Sequence, residues 1–189
     1  MNNHAPMSDV EIRKEVIHSE RWLDRPLITP YIETKYILGG PSYGPSSHGY
    51  DIRLGPSFIK YKASDRPFIP GEQIKPEDYD IIAASSDVII QPGGFLLGCS
   101  VETIALPPTI TAEVKDKSTY VRYGITVQNT VLEAGWYGQV TLELINHGPR
   151  PVALMIGLGI AQVLFFRSSN CAVPYDGKYQ NQLGVTLPR

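Results

Sequence analysis

Residues 131–148 read VLEAGWYGQVTLELINHG, and the alternation inside this run decides the fold. Val140, Leu142 and Leu144 fall on one face of an extended chain, with Thr141, Glu143 and Ile145 on the other. That period of two predicts a β-strand over Val140–Asn146 with one face turned to a core. It also raises a chemical question, because Glu143 stands in mid-strand. Burying a carboxylate is unfavourable by several kcal/mol unless the charge is paired. Glu143 therefore either faces solvent, forms a salt bridge, or belongs to a site. Glu133, ten residues earlier, is either a surface carboxylate at the Gly135–Trp136 turn or a second site acid. Trp136 is either a core aromatic or a platform that stacks on a ligand.

Working outward, strand signals recur at Val88–Ile90, Phe95–Ile104, Thr109–Val114, Gly124–Val127, Val152–Met155 and Gly159–Phe166. The turn signals QPGG, LPP, EAGWYG and NHGPR separate them. Strands at this spacing predict a closed or sandwiched antiparallel β-fold. Further upstream, YDIRLGPSFIKYK (residues 50–62) reads as a strand pair or one bent strand, residues 34–49 as a loop, and residues 64–86 as irregular. One helix is well signalled. In SDVE, Ser8 caps while Glu11 reaches back, and Met7 and Ile12 have the spacing of a hydrophobic staple. The helix is predicted from Asp9 to about Ser19, before Pro26 and Pro30 break regular structure.

Composition narrows the function. The chain has 189 residues, enough for one domain spanning 1–189, with 42% hydrophobic and 19% charged residues, as in a folded globular protein. A net charge of -2 supplies no global basic field to gather a nucleic-acid polymer. The two cysteines, Cys99 and Cys171, lie far apart and outside any metal-ligand spacing, which argues against a disulfide framework and a zinc site. The N-terminal residues lack an apolar signal core, and no apolar run approaches ~18 residues. A soluble cytoplasmic protein, without a membrane span, is expected. His4, His18, His48 and His147 are isolated. Walker, G-x-G-x-x-G, G-x-S-x-G and zinc-deaminase signatures are missing from the sequence.

Two segments pair charge with hydroxyls or aromatics. KDKSTYVRYG (residues 115–124) is either a solvated polar loop or a phosphate site, with Ser118, Thr119 and turn amides donating and Lys117 and Arg122 neutralising. The last fifteen residues, YDGKYQNQLGVTLPR, hold little apolar material and read as a tail that something else must order. Tyr175, Lys178, Tyr179 and Gln182 there are either ordinary exposed residues or a flap that closes over an anionic aromatic ligand.

In this order, SDVEIRKEV, YDIRLG, IQPGGFLLGCSVETIALP, KSTYVRYGITVQNTVLEAGWYGQVTLELIN and GKYQNQLGVTLPR resemble the deoxycytidine triphosphate (dCTP) deaminase branch of the dUTPase superfamily. The likeness covers most of the chain. It implies a distorted β-barrel or jelly-roll protomer with an N-terminal helical segment (1–33) and a C-terminal lid (175–189). It implies a homotrimer with active sites between subunits, a deoxycytidine nucleotide as substrate, and Mg²⁺ held through the nucleotide phosphates and water rather than by protein ligands. Deamination in this family uses no zinc. By resemblance Glu143 is the catalytic glutamate. Lys117, Ser118, Thr119 and Arg122 match the phosphate motif, and Tyr175, Lys178, Tyr179 and Gln182 the covering tail. Glu133 stands where relatives that also cleave the triphosphate carry Asp, and Asp116 where Gly is common. The short segment between Gly124 and Trp136 is similar to the compact archaeal and viral relatives. These departures leave open a bifunctional deaminase–diphosphatase, a dUTPase-like pyrophosphatase, a deaminase of dCMP or of a modified cytosine nucleotide, and a non-catalytic nucleotide-binding trimer.

Overall fold

The structure, a computed structural model, describes residues 5–18, 24–33 and 39–189. Helix α1 (Asp9–His18) starts where its capping box puts it. The Ser8 amide donates to Glu11 Oε2 at 2.9 Å and the Glu11 amide to Ser8 Oγ at 3.4 Å. Met7 and Ile12, the staple pair, are both buried. Ser19, the expected last helical residue, lies outside the described residues, as do residues 34–38 of the expected loop.

Thirteen strands follow among the described residues: β1 (Ile28–Thr29), β2 (Gly44–Pro45), β3 (Tyr50–Arg53), β4 (Ser57–Tyr61), β5 (Tyr79–Ala83), β6 (Asp87–Ile90), β7 (Phe95–Ala105), β8 (Ile110–Asp116), β9 (Ile125–Gln128), β10 (Val131–Leu132), β11 (Tyr137–Asn146), β12 (Val152–Met155) and β13 (Gly159–Arg167). A short helix α2 (Ser118–Val121) links β8 to β9. One sheet runs β5-β4-β7-β11-β9, with β1 also on β7; the other runs β10-β8-β13-β3-β2; β12 and β6 make a separate ribbon. Side chains of both larger sheets, among them Ile52, Phe58, Leu144 and Phe165, join one buried cluster. The chain is therefore mainly β, as the alternation predicts. Each described sheet has two free ends, so none closes into a barrel, and the sandwiched form of the expectation is the one that holds.

Several expectations need correction. Residues 64–86 are not wholly irregular, because β5 pairs with β4 along its length. Its residues show no burial alternation and Ile81 is 75% exposed, so an edge strand here carries no periodic signal. YDIRLGPSFIKYK forms two strands rather than one bent strand, and β3 and β4 lie in different sheets, so the turn between them carries the chain across. α2 is a helix where a turn is expected; four residues are too short to show a helical period. The two-residue strands β1, β2 and β10, of which β2 falls in the expected loop, are likewise too short to show a period.

Strand β11 lies between β7 and β9, hydrogen-bonded on both sides. Its burial alternates without a break from Tyr137 to Asn146. Opposite Gln139–Thr141 the register with β7 slips, and Ser100 fills the irregularity, its Oγ accepting the Val140 amide at 2.9 Å. The result is a rigid, doubly paired ribbon whose polar face carries Thr141 and Glu143.

Candidate active site

A cleft of about 760 Å³ opens over the polar face of β11. Thr141 and Glu143 form its floor, Tyr61 of β4 and Phe95 and Leu97 of β7 one side, and Asn129–Glu133 and the C-terminal tail the rest. Glu143 faces Leu97 on one neighbouring strand and Gln128 on the other. Two ladders fix its backbone, and a strand positions a side chain better than a loop does.

Two glutamates are drawn out of water in this fold, and their partners differ. Glu102 is fully buried, and both of its oxygens are used: Arg53 Nε donates at 2.6 Å and the Arg53 amide at 2.8 Å. Burial pushes its carboxyl up and Arg53 pulls it back down, so the pair is an internal brace. Glu143 forms no ion pair among the described residues; its Oε2 is buried and accepts no hydrogen bond. Burial pushes its carboxyl up to about 7, with a bond from its own backbone amide opposing the shift. A carboxyl with that value gains and loses a proton near neutral pH, which is what general acid–base chemistry requires.

Tyr61 and Phe95 stack beside it, with ring centroids 6.0 Å apart and planes 6° apart. Burial raises the Tyr61 hydroxyl, and the Glu143 and Tyr179 charges raise it further. These rings make one wall apolar and flat, suited to a planar heterocycle. Asn129 projects its amide to the Thr141 carbonyl, Nδ2 to O at 2.6 Å. Tyr61, Phe95, Leu97, Asn129 and Thr141 are among the cleft residues that sequence reading does not assign to a site. The first three count as strand residues on pattern alone, and only the strand pairing reveals which face they share with Glu143.

Of its two readings, Trp136 matches the core aromatic. It is a buried core residue that also lines the cleft, and its indole N–H donates to the Tyr179 carbonyl at 3.0 Å. The tail, which in sequence needs something else to order it, therefore docks on the rest of its own chain. The Gln139 amide donates to the Gln182 carbonyl at 2.9 Å, and Gln182 Nε2 donates to the Gln139 carbonyl at 2.8 Å. Gln180 accepts from the Tyr137 amide at 2.7 Å. The glycines of AGWYG permit the approach. A Cβ on Gly135, whose φ is +89°, would meet Pro174 Cβ at 2.5 Å, and one on Gly138 the Gln182 carbonyl at 2.7 Å. Tyr175, Lys178, Tyr179 and Gln182 all reach the cleft this way. Lys178 stands 5.2 Å from the Tyr179 ring and donates to the Arg189 carbonyl, while Arg189 returns a bond to the Lys178 carbonyl at 3.0 Å. Glu133 is exposed at the cleft rim.

The expected phosphate residues lie elsewhere. Lys117, Ser118, Thr119 and Arg122 do not line this cleft. Ser118, Thr119 and Arg122 are exposed on and after α2, at the end of β9 remote from the residue paired with Glu143. Lys117 is held by Asp51 in a nearly buried ion pair, and donates to Ser42 Oγ at 3.3 Å. Burial pushes Asp51 up and Lys117 draws it down. Asp116, which stands where Gly is common by resemblance, accepts from the Val127 amide and so braces β9. Within one chain, then, the acid and the expected anion-binding cluster are apart.

A family model described as dCTP deaminase-like matches residues 8–168. Curated proteins named dCTP deaminase are 37% identical to this chain in Herpetosiphon aurantiacus, over 92% of this chain and 98% of the relative, and 37% identical in Campylobacter concisus, over 92% and 97%. Another, in Pelagibacter ubique, is 34% identical over 97% of this chain and 98% of the relative. Among solved structures, the 2'-deoxycytidine 5'-triphosphate deaminase of Agrobacterium tumefaciens superposes with a TM-score of 0.63 at 19% identity. That match covers 88% of this chain and 50% of the longer Agrobacterium chain, and it shows a shared fold.

Proposed function

This chain belongs to the dCTP deaminase-like family, and from that premise we propose that it hydrolyses the 4-amino group of dCTP, yielding dUTP and ammonia. One observation carries the reading: half-buried Glu143, its Oε2 buried without a hydrogen-bond partner, on the strand that floors an aromatic-walled cleft. Its ionised form takes a proton from water as the water oxygen attacks C4 of the ring. The same carboxyl hands that proton to N3, giving a tetrahedral carbon that bears both hydroxyl and amine. Glu143 then takes the hydroxyl proton and delivers it to the leaving amine. The C4–N bond breaks, C4=O forms, and the carboxylate is restored. Tyr61 and Phe95 line one side of the base, and the tail residues exclude water from above.

No group of three or more His, Cys, Asp or Glu stands together among the described residues as a ready cation site. Mg²⁺ fits this chain as a companion of the triphosphate, held by phosphate oxygens and water, and the proton steps are assigned to Glu143 without zinc. Among the described residues Lys178 is the one cation that lines the Glu143 cleft, and a triphosphate carries several negative charges. The exposed Ser118, Thr119 and Arg122 of a neighbouring copy would supply the missing neutralisation, which makes a homotrimer with shared sites the assembly we propose.

A second reading, a deaminase that also cleaves the phosphate chain to dUMP, draws on Glu133 at the rim of the same cleft. Product analysis separates the two. Incubation with dCTP is expected to release ammonia and dUTP without pyrophosphate; pyrophosphate in equal amount would favour the second, and no ammonia would remove both. Parallel incubation with dCMP fixes the phosphate requirement.

Two further outcomes follow from the geometry. Because Glu143 starts as a base, kcat/KM is expected to fall about tenfold per pH unit below the carboxyl value of about 7 and to level off above it; a flat profile between pH 5 and 8 would remove Glu143 as the starting base. Removing residues 175–189 is expected to leave a folded β core by circular dichroism while turnover drops at least about tenfold, since the cleft loses its cover. Full activity of the truncated chain would show that the tail is not part of the site.

A further inference from the structure

We propose that Asn129 reads the base: its Oδ1 accepts a hydrogen bond from the exocyclic 4-amino group of cytosine and so selects the amine-bearing pyrimidine over its carbonyl-bearing product. The inference rests on the deaminase reading above and assigns substrate discrimination within it to a residue that strand pattern does not pick out.

Among the described residues, three buried side-chain atoms make no hydrogen bond: the Tyr31 hydroxyl, Asn129 Oδ1 and Glu143 Oε2. The second and third line the same cleft. Native proteins pair nearly all such atoms, so two unpaired acceptors in one cleft mark a place where a ligand brings the donors. They are also neighbours in the fold. Gln128, next to Asn129, is the strand partner of Glu143, and Thr141, which holds the Asn129 amide, lies two residues from Glu143 on the same face of β11.

The polarity of the Asn129 amide is fixed. Its Nδ2 donates to the Thr141 carbonyl at 2.6 Å. Turning the amide over would set two carbonyl oxygens against each other and lose that bond. Oδ1 is thus an acceptor that neither rotates nor titrates. Glu143 differs, since it accepts when ionised and donates when protonated. A permanent acceptor tells donors from acceptors. Cytosine presents N–H at position 4, whereas uracil presents a carbonyl oxygen there. A water molecule, being both donor and acceptor, would be held equally well by either amide orientation, so the pinned polarity points to the base. After deamination the new O4 faces Oδ1, oxygen to oxygen, and the same residue that admits dCTP helps to expel dUTP.

The test measures binding in the slow Glu143→Gln protein by titration calorimetry with dCTP and with dUTP. Asn129→Leu, similar in size but without an acceptor, is then added, with Asn129→Ala as a smaller alternative in case leucine crowds the cleft. The single variant is expected to bind dCTP more tightly than dUTP. Adding either Asn129 substitution is expected to weaken dCTP by about tenfold or more and to leave dUTP within about threefold, so that the preference collapses. An unchanged dCTP-to-dUTP ratio in both double variants overturns the assignment, even if turnover falls in the corresponding Asn129 single variants. Failure of Glu143→Gln and the unsubstituted protein to bind any deoxycytidine nucleotide would instead overturn the deaminase reading itself, and Asn129's role with it.

Discussion

Glu143→Gln is expected to lower dCTP turnover by about 10²–10⁴-fold while leaving nucleotide affinity within a few-fold. Glutamine keeps the shape and the strand position but cannot accept a proton from water, so the loss falls on kcat. A structural role would give the opposite pattern, with weaker binding and a destabilised sheet. The stability of the variant separates these alternatives further. The Glu143 carboxyl sits at about 7 in the folded chain, against an ordinary value of 4.5. As pH rises from the lower value towards the upper, the unfolded chain has given up the proton and the folded chain still holds it. Folding stability therefore falls through that window and stays reduced above it. The glutamine side chain has no such proton to lose. The variant is expected to melt several degrees above the parent at pH 8 and to converge with it near pH 4. A variant that is both inactive and less stable at pH 8 would mean that the carboxylate holds the fold together.

This stability penalty is the reason the acid is legible in sequence. A glutamate in the middle of a strand conflicts with its surroundings, and such a conflict persists where chemistry needs it. The same logic applied to Glu102 misleads, because that carboxylate also interrupts an apolar strand and yet is paired to Arg53. The partner is 49 residues away in sequence, and only the fold reveals it. Strands β8, β9 and β11 can be read because each buries one face, whereas β5, exposed at a sheet edge, offers no alternation to read. Tyr61 and Phe95 are cleft residues through register, a property of pairs of strands that no single segment carries. The tail looks unanchored in sequence because its anchors are backbone groups of β11 and the Trp136 indole, reached across glycines whose importance is in what they lack.

The separation of Arg122 from Glu143 leads to the other large effect. If each site combines Glu143 of one copy with Ser118, Thr119 and Arg122 of another, Glu143→Gln and Arg122→Ala should each be nearly inactive alone at low dCTP, for different reasons. The first binds and does not turn over; the second leaves triphosphate charge unneutralised and raises KM by about a hundredfold. Mixed and allowed to exchange subunits, the two defective proteins can form sites that take the intact acid from an Arg122→Ala copy and the intact arginine from a Glu143→Gln copy. Random equal mixing gives about a quarter of sites that composition in a closed ring. Activity at dCTP below the parent KM is therefore expected to rise from near zero to about a quarter of the parent value. A site confined to one chain cannot do this, because every chain in the mixture lacks one part. Mixtures that stay silent after exchange is verified by mass spectrometry would place Arg122 outside the site. The phosphates would then have to be met by Lys178 on the tail, which the fold already ties to the Arg189 carbonyl.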